Sequence, residues 1–62
     1  MYRIYFVNHG FYSEQEFKEL DEAKEYAKST GFETVVYWDR DRDGELDMVG
    51  SWSTFGGWQE AY

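Results

Sequence analysis

Tyr37-Trp38-Asp39-Arg40-Asp41-Arg42-Asp43-Gly44-Glu45-Leu46-Asp47-Met48-Val49 sets an acidic, glycine-containing segment between two apolar runs, and its reading decides the fold. Asp43-Gly44 favours a type I′ turn, because both central residues of that turn need positive φ, which Asp tolerates and Gly adopts freely. A two-residue loop at this point fixes the register of two antiparallel strands: Arg42 faces Glu45, Arg40 faces Asp47, Trp38 faces Val49 and Val35 faces Trp52. Opposite-charge pairs and apolar pairs then agree on one alignment. In that register Val35, Tyr37, Leu46, Met48 and Trp52 share a face, the expected seat of a covering helix, and Val36, Trp38, Val49 and Ser51 share the other.

The same carboxylates admit a second reading. Asp39, Asp41, Asp43, Gly44, Leu46 and Asp47 follow the order of carboxylates, glycine and apolar residue in the first nine positions of a calcium loop, and the stretch resembles an EF-hand. The resemblance implies calcium held by Asp39, Asp41, Asp43 and Asp47, with the Glu45 carbonyl as a further ligand. It covers this loop alone. The place of the bidentate Glu that closes such a loop is taken by Gly50, and the flanks read as strands where an EF-hand has helices. Carboxylates two residues apart on an extended strand stand roughly 6.6 Å from one another, too far to share an ion that needs each at about 2.4 Å. The charged hairpin tip is therefore the favoured reading, and calcium the only cofactor the sequence suggests.

Moving upstream, Tyr2–Val7 alternates, with Tyr2, Ile4 and Phe6 on one side and Arg3, Tyr5 and Val7 on the other, as a first strand does. Asn8-His9-Gly10 supplies turn chemistry after it. Ser13 with Glu16 three residues on makes a capping box, flanked by Tyr12 and Phe17 as a hydrophobic staple. These residues predict a helix from Ser13 to a left-handed Gly31, with Phe32 folding back onto Ala27. Phe17, Leu20, Ala23 and Ala27 form its apolar stripe, joined by the stem of Lys24, while Glu14, Asp21, Glu22 and Glu25 lie outside it. Glu14 with Lys18 and Asp21 with Lys24 sit at helix-stabilising spacing.

The expected architecture is α+β: one domain spanning residues 1–62, in the order strand, helix, strand, strand, with a single helix on a three-stranded sheet. A right-handed crossover makes the first two strands parallel. The third strand then lies either between them or to one side. Gly56-Gly57 allows residues 54–62 to reverse and lay Phe55, Trp58 and Tyr62 across the sheet face that one helix leaves open. If they do not, that aromatic face is free to bind a partner or a second copy.

With 62 residues the chain lies near the lower limit for a core without disulfide or metal, so the 23% aromatic content carries the burial. The absence of Cys excludes disulfide frameworks, thiolate metal sites and cysteine nucleophiles. Tyr2–Val7 is too short for a signal-peptide core or a membrane span, and the chain reads as a cytoplasmic protein. A formal charge of −7 repels phosphate, so direct nucleic-acid binding and adsorption to anionic membranes are not expected. It attracts a basic partner.

Nothing in the chain forms a catalytic motif: His9 lacks a local orienting acid, and phosphate-binding, dinucleotide, serine-nucleophile and zinc patterns are missing. The expected class is a small acidic, non-enzymatic protein-binding module, an inhibitor or nucleic-acid mimic docking on a basic protein. Its contact residues are expected to be Asp21, Glu22 and Glu25 on the helix, Asp39, Asp41 and Asp43 at the hairpin, and the aromatic anchors Trp38 and Trp58. A calcium-binding hairpin and a homodimer-forming structural domain are the alternatives.

Overall fold

The structure is a computed structural model that describes residues 1–39 and 45–61. Among these, the chain forms β1 (Tyr2–Phe6), β2 (Phe11–Tyr12), α1 (Leu20–Thr30), β3 (Thr34–Asp39), β4 (Leu46–Ser53) and β5 (Gly57–Glu60). All strand pairs are antiparallel, in the order β2-β1-β3-β4-β5. The class is α+β, with one helix laid on one face of a five-stranded sheet. Two strands were not foreseen, and their presence reorders the topology.

The first of these, β2, explains why β1 and β3 run antiparallel and not parallel. The four residues Val7 to Gly10 turn the chain back so that Phe11 pairs with Phe6 and Tyr12 with Tyr5. The Gly10 N–H donates to the Phe6 carbonyl at 2.9 Å, and Gly10 takes φ 73°, a value open to glycine at no steric cost. The helix therefore leaves from β2 and returns to β3, two parallel strands with β1 between them. The crossover rule applies to that pair.

Residues 13–17 belong to this edge and not to the helix. Ser13 N–H donates to the Ile4 carbonyl at 2.7 Å, and Phe17 exchanges backbone hydrogen bonds with Tyr2. The capping box is not formed: the Ser13 hydroxyl is buried and donates to the Gln15 carbonyl. Glu19, extended at φ −111° and ψ 140°, precedes the first helical turn without a side-chain cap. The aromatic pair Phe11-Tyr12 gains more from joining a sheet edge than Ser13 gains from capping, and one further aromatic, Phe17, is pinned by β1 before the helix begins. At the other end Gly31 is left-handed at φ 73° and its N–H reaches the Lys28 carbonyl, as expected. Phe32 turns not onto Ala27 but toward His9 and Phe6, with ring centroids 4.8 and 6.2 Å away.

The β3–β4 register departs from the expected one. Trp38 faces Asp47, Tyr37 faces Met48 and Asp39 faces Leu46, two residues away from a register closed by Asp43-Gly44. A bulge between Val36 and Tyr37 leaves Val49 as the extra residue, after which Val36 faces Gly50, Val35 faces Ser51 and Thr34 faces Trp52. A two-residue slip preserves faces and a one-residue slip exchanges them. Tyr37 and Met48 thus still share a face, whereas Trp52 has moved to the Val36 side. The tip itself, with Arg40, Asp41, Arg42, Asp43 and Gly44, lies outside the described residues, and so does the expected pairing of Arg42 with Glu45; Asp47, expected opposite Arg40, faces Trp38 instead.

The helix covers the Val36 face, opposite to the one expected. Ile4, Val36, Ala23 and Ala27 are fully buried and, with Phe6, form the core. Tyr2, Phe17, Leu20, Tyr26, Val49, Trp52 and Trp58 pack around it. Two alanines on the helix stripe let its backbone approach the sheet, and the β-branched Ile4 and Val36 fill that narrow space. The uncovered face carries Arg3, Tyr5, Val35, Tyr37 and Met48.

The C-terminal segment is the second unforeseen strand. Ser53 faces Gly57, Trp52 faces Trp58 and Gly50 faces Glu60, so residues 57–60 extend the sheet edge and do not lie across its open face. Trp58 sits on the helix side and Phe55 is fully exposed in the connecting turn. Gly50 permits this arrangement, since a Cβ at this position would meet the Trp58 ring at 2.4 Å and the Gln59 carbonyl at 2.6 Å.

Candidate functional site

The exposed side of α1 gathers Asp21, Glu22 and Glu25 within a single turn and a third of the next. All three are exposed, and among the described residues none has an ion-pair partner. Asp21 and Glu22 occupy the first turn, where unsatisfied backbone N–H groups favour negative charge, and Lys28 occupies the last. Lys24 was expected to pair with Asp21. Its ammonium lies instead over the Trp58 ring, 4.7 Å from the centroid, on the β5 side of the helix.

Trp58 is held from two directions, by Lys24 above the ring and by its own Nε1 donating to Glu60 Oε1 at 3.0 Å. Trp38 lies on the same sheet face across the helix, its ring centroid 4.6 Å from that of Tyr2. Both indoles are half-buried. Trp58 and Trp38 belong to the helix side of the sheet, and the three carboxylates to the exposed side of the helix.

Asp39 has a different setting. It is buried at the end of β3, its backbone exchanging hydrogen bonds with Met1. Asp39 faces Leu46 and Asp47 faces Trp38, and directly opposed residues share a face, so Asp39 and Asp47 project from opposite sides of the ribbon. One ion cannot be chelated by both while this pairing stands. Among the described residues no group of three potential metal ligands comes together. Asp41 and Asp43, on which both the docking and the calcium expectation also rest, lie outside the described residues; Glu45 is exposed just before β4.

The second cation drawn onto an aromatic ring is Arg3, on the opposite side of the sheet. Its guanidinium carbon stands 4.9 Å from the centroid of Tyr12, and Nε is buried without a hydrogen-bond partner. Tyr12 in turn contacts Tyr5 and Tyr37, with centroids 4.9 and 6.1 Å away. Trp38 and Val49, expected on the face away from the helix, lie on the helix side, with Val49 packed against the core. Sequence reasoning did not find the Arg3–tyrosine cluster, which depends on Tyr12 belonging to a strand. His9 is exposed in the turn between β1 and β2, its ring edgewise to those of Phe32 and Phe11 with centroids 4.8 and 5.7 Å away.

No family model matches the chain, and neither a curated protein nor a solved structure matches it. Among the described residues, no helix is long and apolar enough to cross a membrane.

Proposed function

We propose that the chain is a non-enzymatic protein-binding module, an inhibitor or adaptor whose acidic helix docks on a basic protein surface. The carrying observation is a segregation of charge. Asp21, Glu22 and Glu25 are exposed on the outer side of α1 with no counter-ion among the described residues, while Lys24 is drawn aside onto Trp58 and Arg3 is held by Tyr12 on the far side of the sheet. Acid is left concentrated on one side, and a chain of net charge −7 steers a cationic surface toward it. Carboxylates on a rigid helix suit a groove that otherwise holds phosphate, which is how a nucleic-acid mimic would act. Trp58, beside Lys24 of the helix, and Trp38, on the same side of the sheet, are half-buried and would supply apolar anchors of the kind that dominate interface energies.

The test is capture of binding partners from the source organism's lysate, followed by affinity measurements with the purified partner. The Asp21→Asn, Glu22→Gln, Glu25→Gln triple variant should bind at least tenfold more weakly, and wild-type affinity should fall with added salt. A partner bound equally by wild type and variant, with no salt dependence, refutes the proposal.

A further inference from the structure

We infer, on the reading above that the partner is basic, that the outer edge of β5 takes up an extended segment of that partner as an added strand. The register shows which backbone groups such a segment meets. Gly50 faces Glu60 and Ser51 faces Gln59, so Val49 lies opposite Ala61, and the Ala61 N–H donates to the Val49 carbonyl at 3.1 Å. Directly opposed residues of an antiparallel pair alternate between exchanging both hydrogen bonds and exchanging none. Ala61, Gln59 and Gly57 therefore turn their backbone groups toward β4, whereas the N–H and C=O of Trp58 and Glu60 point away from it. β5 is the last strand on this side of the sheet, and among the described residues nothing pairs with its outer edge. The opposite edge is closed differently: β2 has two residues, and beyond them Ser13 and Phe17 take up the outward groups of Ile4 and Tyr2.

The side chains at this edge select the occupant. Of the devices that keep edges from pairing, Pro, Lys and a bulge are all missing from β5, and only its length of four residues restrains it. Two N–H and two C=O groups give weak binding by themselves, so side chains must add to it. A strand laid about 4.8 Å beyond β5 puts alternate side chains on the helix side, opposite Trp58 and Glu60. Glu60 is exposed, and its carboxylate is oriented by Trp58 Nε1, which donates to Oε1 at 3.0 Å. A lysine or arginine opposite it gains a charge-assisted contact. Above the ring Lys24 is engaged by Trp58, and Asp21, its neighbour one turn back, is exposed on the same flank of the helix. An apolar residue opposite Trp58 extends the packing of the indole. A second copy of a chain of net charge −7 would bring acid to acid at this edge. The segment that fits is basic at one position and apolar two residues on.

Titration and amide hydrogen exchange, both read by NMR, test this with a synthetic, end-blocked peptide repeating lysine-threonine-valine-threonine. On saturation the Trp58 and Glu60 amides should exchange at least tenfold more slowly, while those of Gln59 and Ala61, already turned toward β4, should not change. The same peptide with glutamate for lysine should bind at least tenfold more weakly. Glu60→Pro removes an outward N–H at an edge position that admits proline, and Glu60→Gln removes the charge alone. The proline variant should bind at least tenfold more weakly than the glutamine variant, with the circular dichroism of wild type showing that the fold is kept. Neither variant touches the helix carboxylates. A purified partner that binds Glu60→Pro as tightly as wild type but is lost by the triple helix variant sinks the added strand and keeps the helix docking; the reverse pattern keeps the strand and sinks the docking. No binding of the peptide at millimolar concentration, or binding that leaves the Trp58 amide unprotected, overturns the added strand. So does protection of these amides that grows with protein concentration in the absence of peptide, which would put a second copy on the edge.

Discussion

Replacing Gly50 by Ala puts one methyl group at the joint between β4, β5 and the helix-side core. The new Cβ would lie 2.4 and 2.8 Å from two Trp58 ring atoms and 2.6 Å from the Gln59 carbonyl. An indole can swing away, but the Gln59 oxygen is backbone of the paired strand and moves only if β5 moves. Relief therefore needs β5 to shift by about 1 Å from β4, at the cost of ladder hydrogen bonds and of the packing around Trp58. Overpacking of this kind costs about 1–3 kcal/mol, and a backbone obstacle puts Gly50→Ala near the upper figure. A chain of 62 residues has a total stability of roughly 3–9 kcal/mol. A loss of about 3 kcal/mol lowers Tm by roughly 12–24 °C in a domain of this size. Urea unfolding followed by tryptophan fluorescence, with hydrogen exchange at Ala61, whose N–H donates to the Val49 carbonyl at 3.1 Å, reads both the energy and its location. A stability within about 0.5 kcal/mol of wild type, the range of an ordinary surface substitution, would refute the pairing of β5 on β4 as described.

The remaining predictions concern single contacts. Gly31→Ala forces a side chain into the left-handed region at φ 73° and should destabilise by about 1 kcal/mol in thermal melts. Glu19→Ser supplies the missing N-cap hydroxyl and should stabilise the helix by roughly 0.5–1 kcal/mol, an outcome opposite to that expected if the helix began at Ser13. Lys24→Met keeps an apolar stem and removes the ammonium over Trp58, with an expected loss of about 0.5–1 kcal/mol and a change in tryptophan emission. Because Asp39 and Asp47 belong to opposite sides of the ribbon, millimolar calcium should leave Tm unchanged, whereas a rise of several degrees would support the calcium loop.

Local signals in the sequence proved readable where one residue type meets one backbone demand. Gly31 ended the helix because its left-handed conformation favours glycine, and Ala23 and Ala27 gave the buried stripe. The alternation in Tyr2–Phe6 separated Ile4 and Phe6 from Arg3 and Tyr5. What failed were inferences requiring a competition to be decided at a distance. Ser13 and Glu16 satisfy a local capping pattern, yet Phe11, Tyr12 and Phe17 gain from β1, a contact the pattern does not contain. Asp43-Gly44 suggested a register, but the ladder is already two residues away from it at Asp39–Leu46, the bulge at Val49 makes that one residue beyond Val36, and a strand period of two turns the one-residue offset into a change of face. Of the candidate site, the exposed helix carboxylates were legible from periodicity. The Arg3–tyrosine cluster was not, since it needs three strands to be placed first.

The claim on which the rest depends is that the helix covers the Val36 face and leaves the Val35 face open. Nuclear Overhauser contacts from the methyl groups of these two valines decide it in one spectrum. The account predicts contacts from Val36 to the Cβ protons of Ala23 and Ala27, with Val35 contacting Tyr5 and Ser51 instead. Contacts from Val35 to the alanines would reverse the faces, placing Arg3 and Tyr5 under the helix and contradicting the core described here.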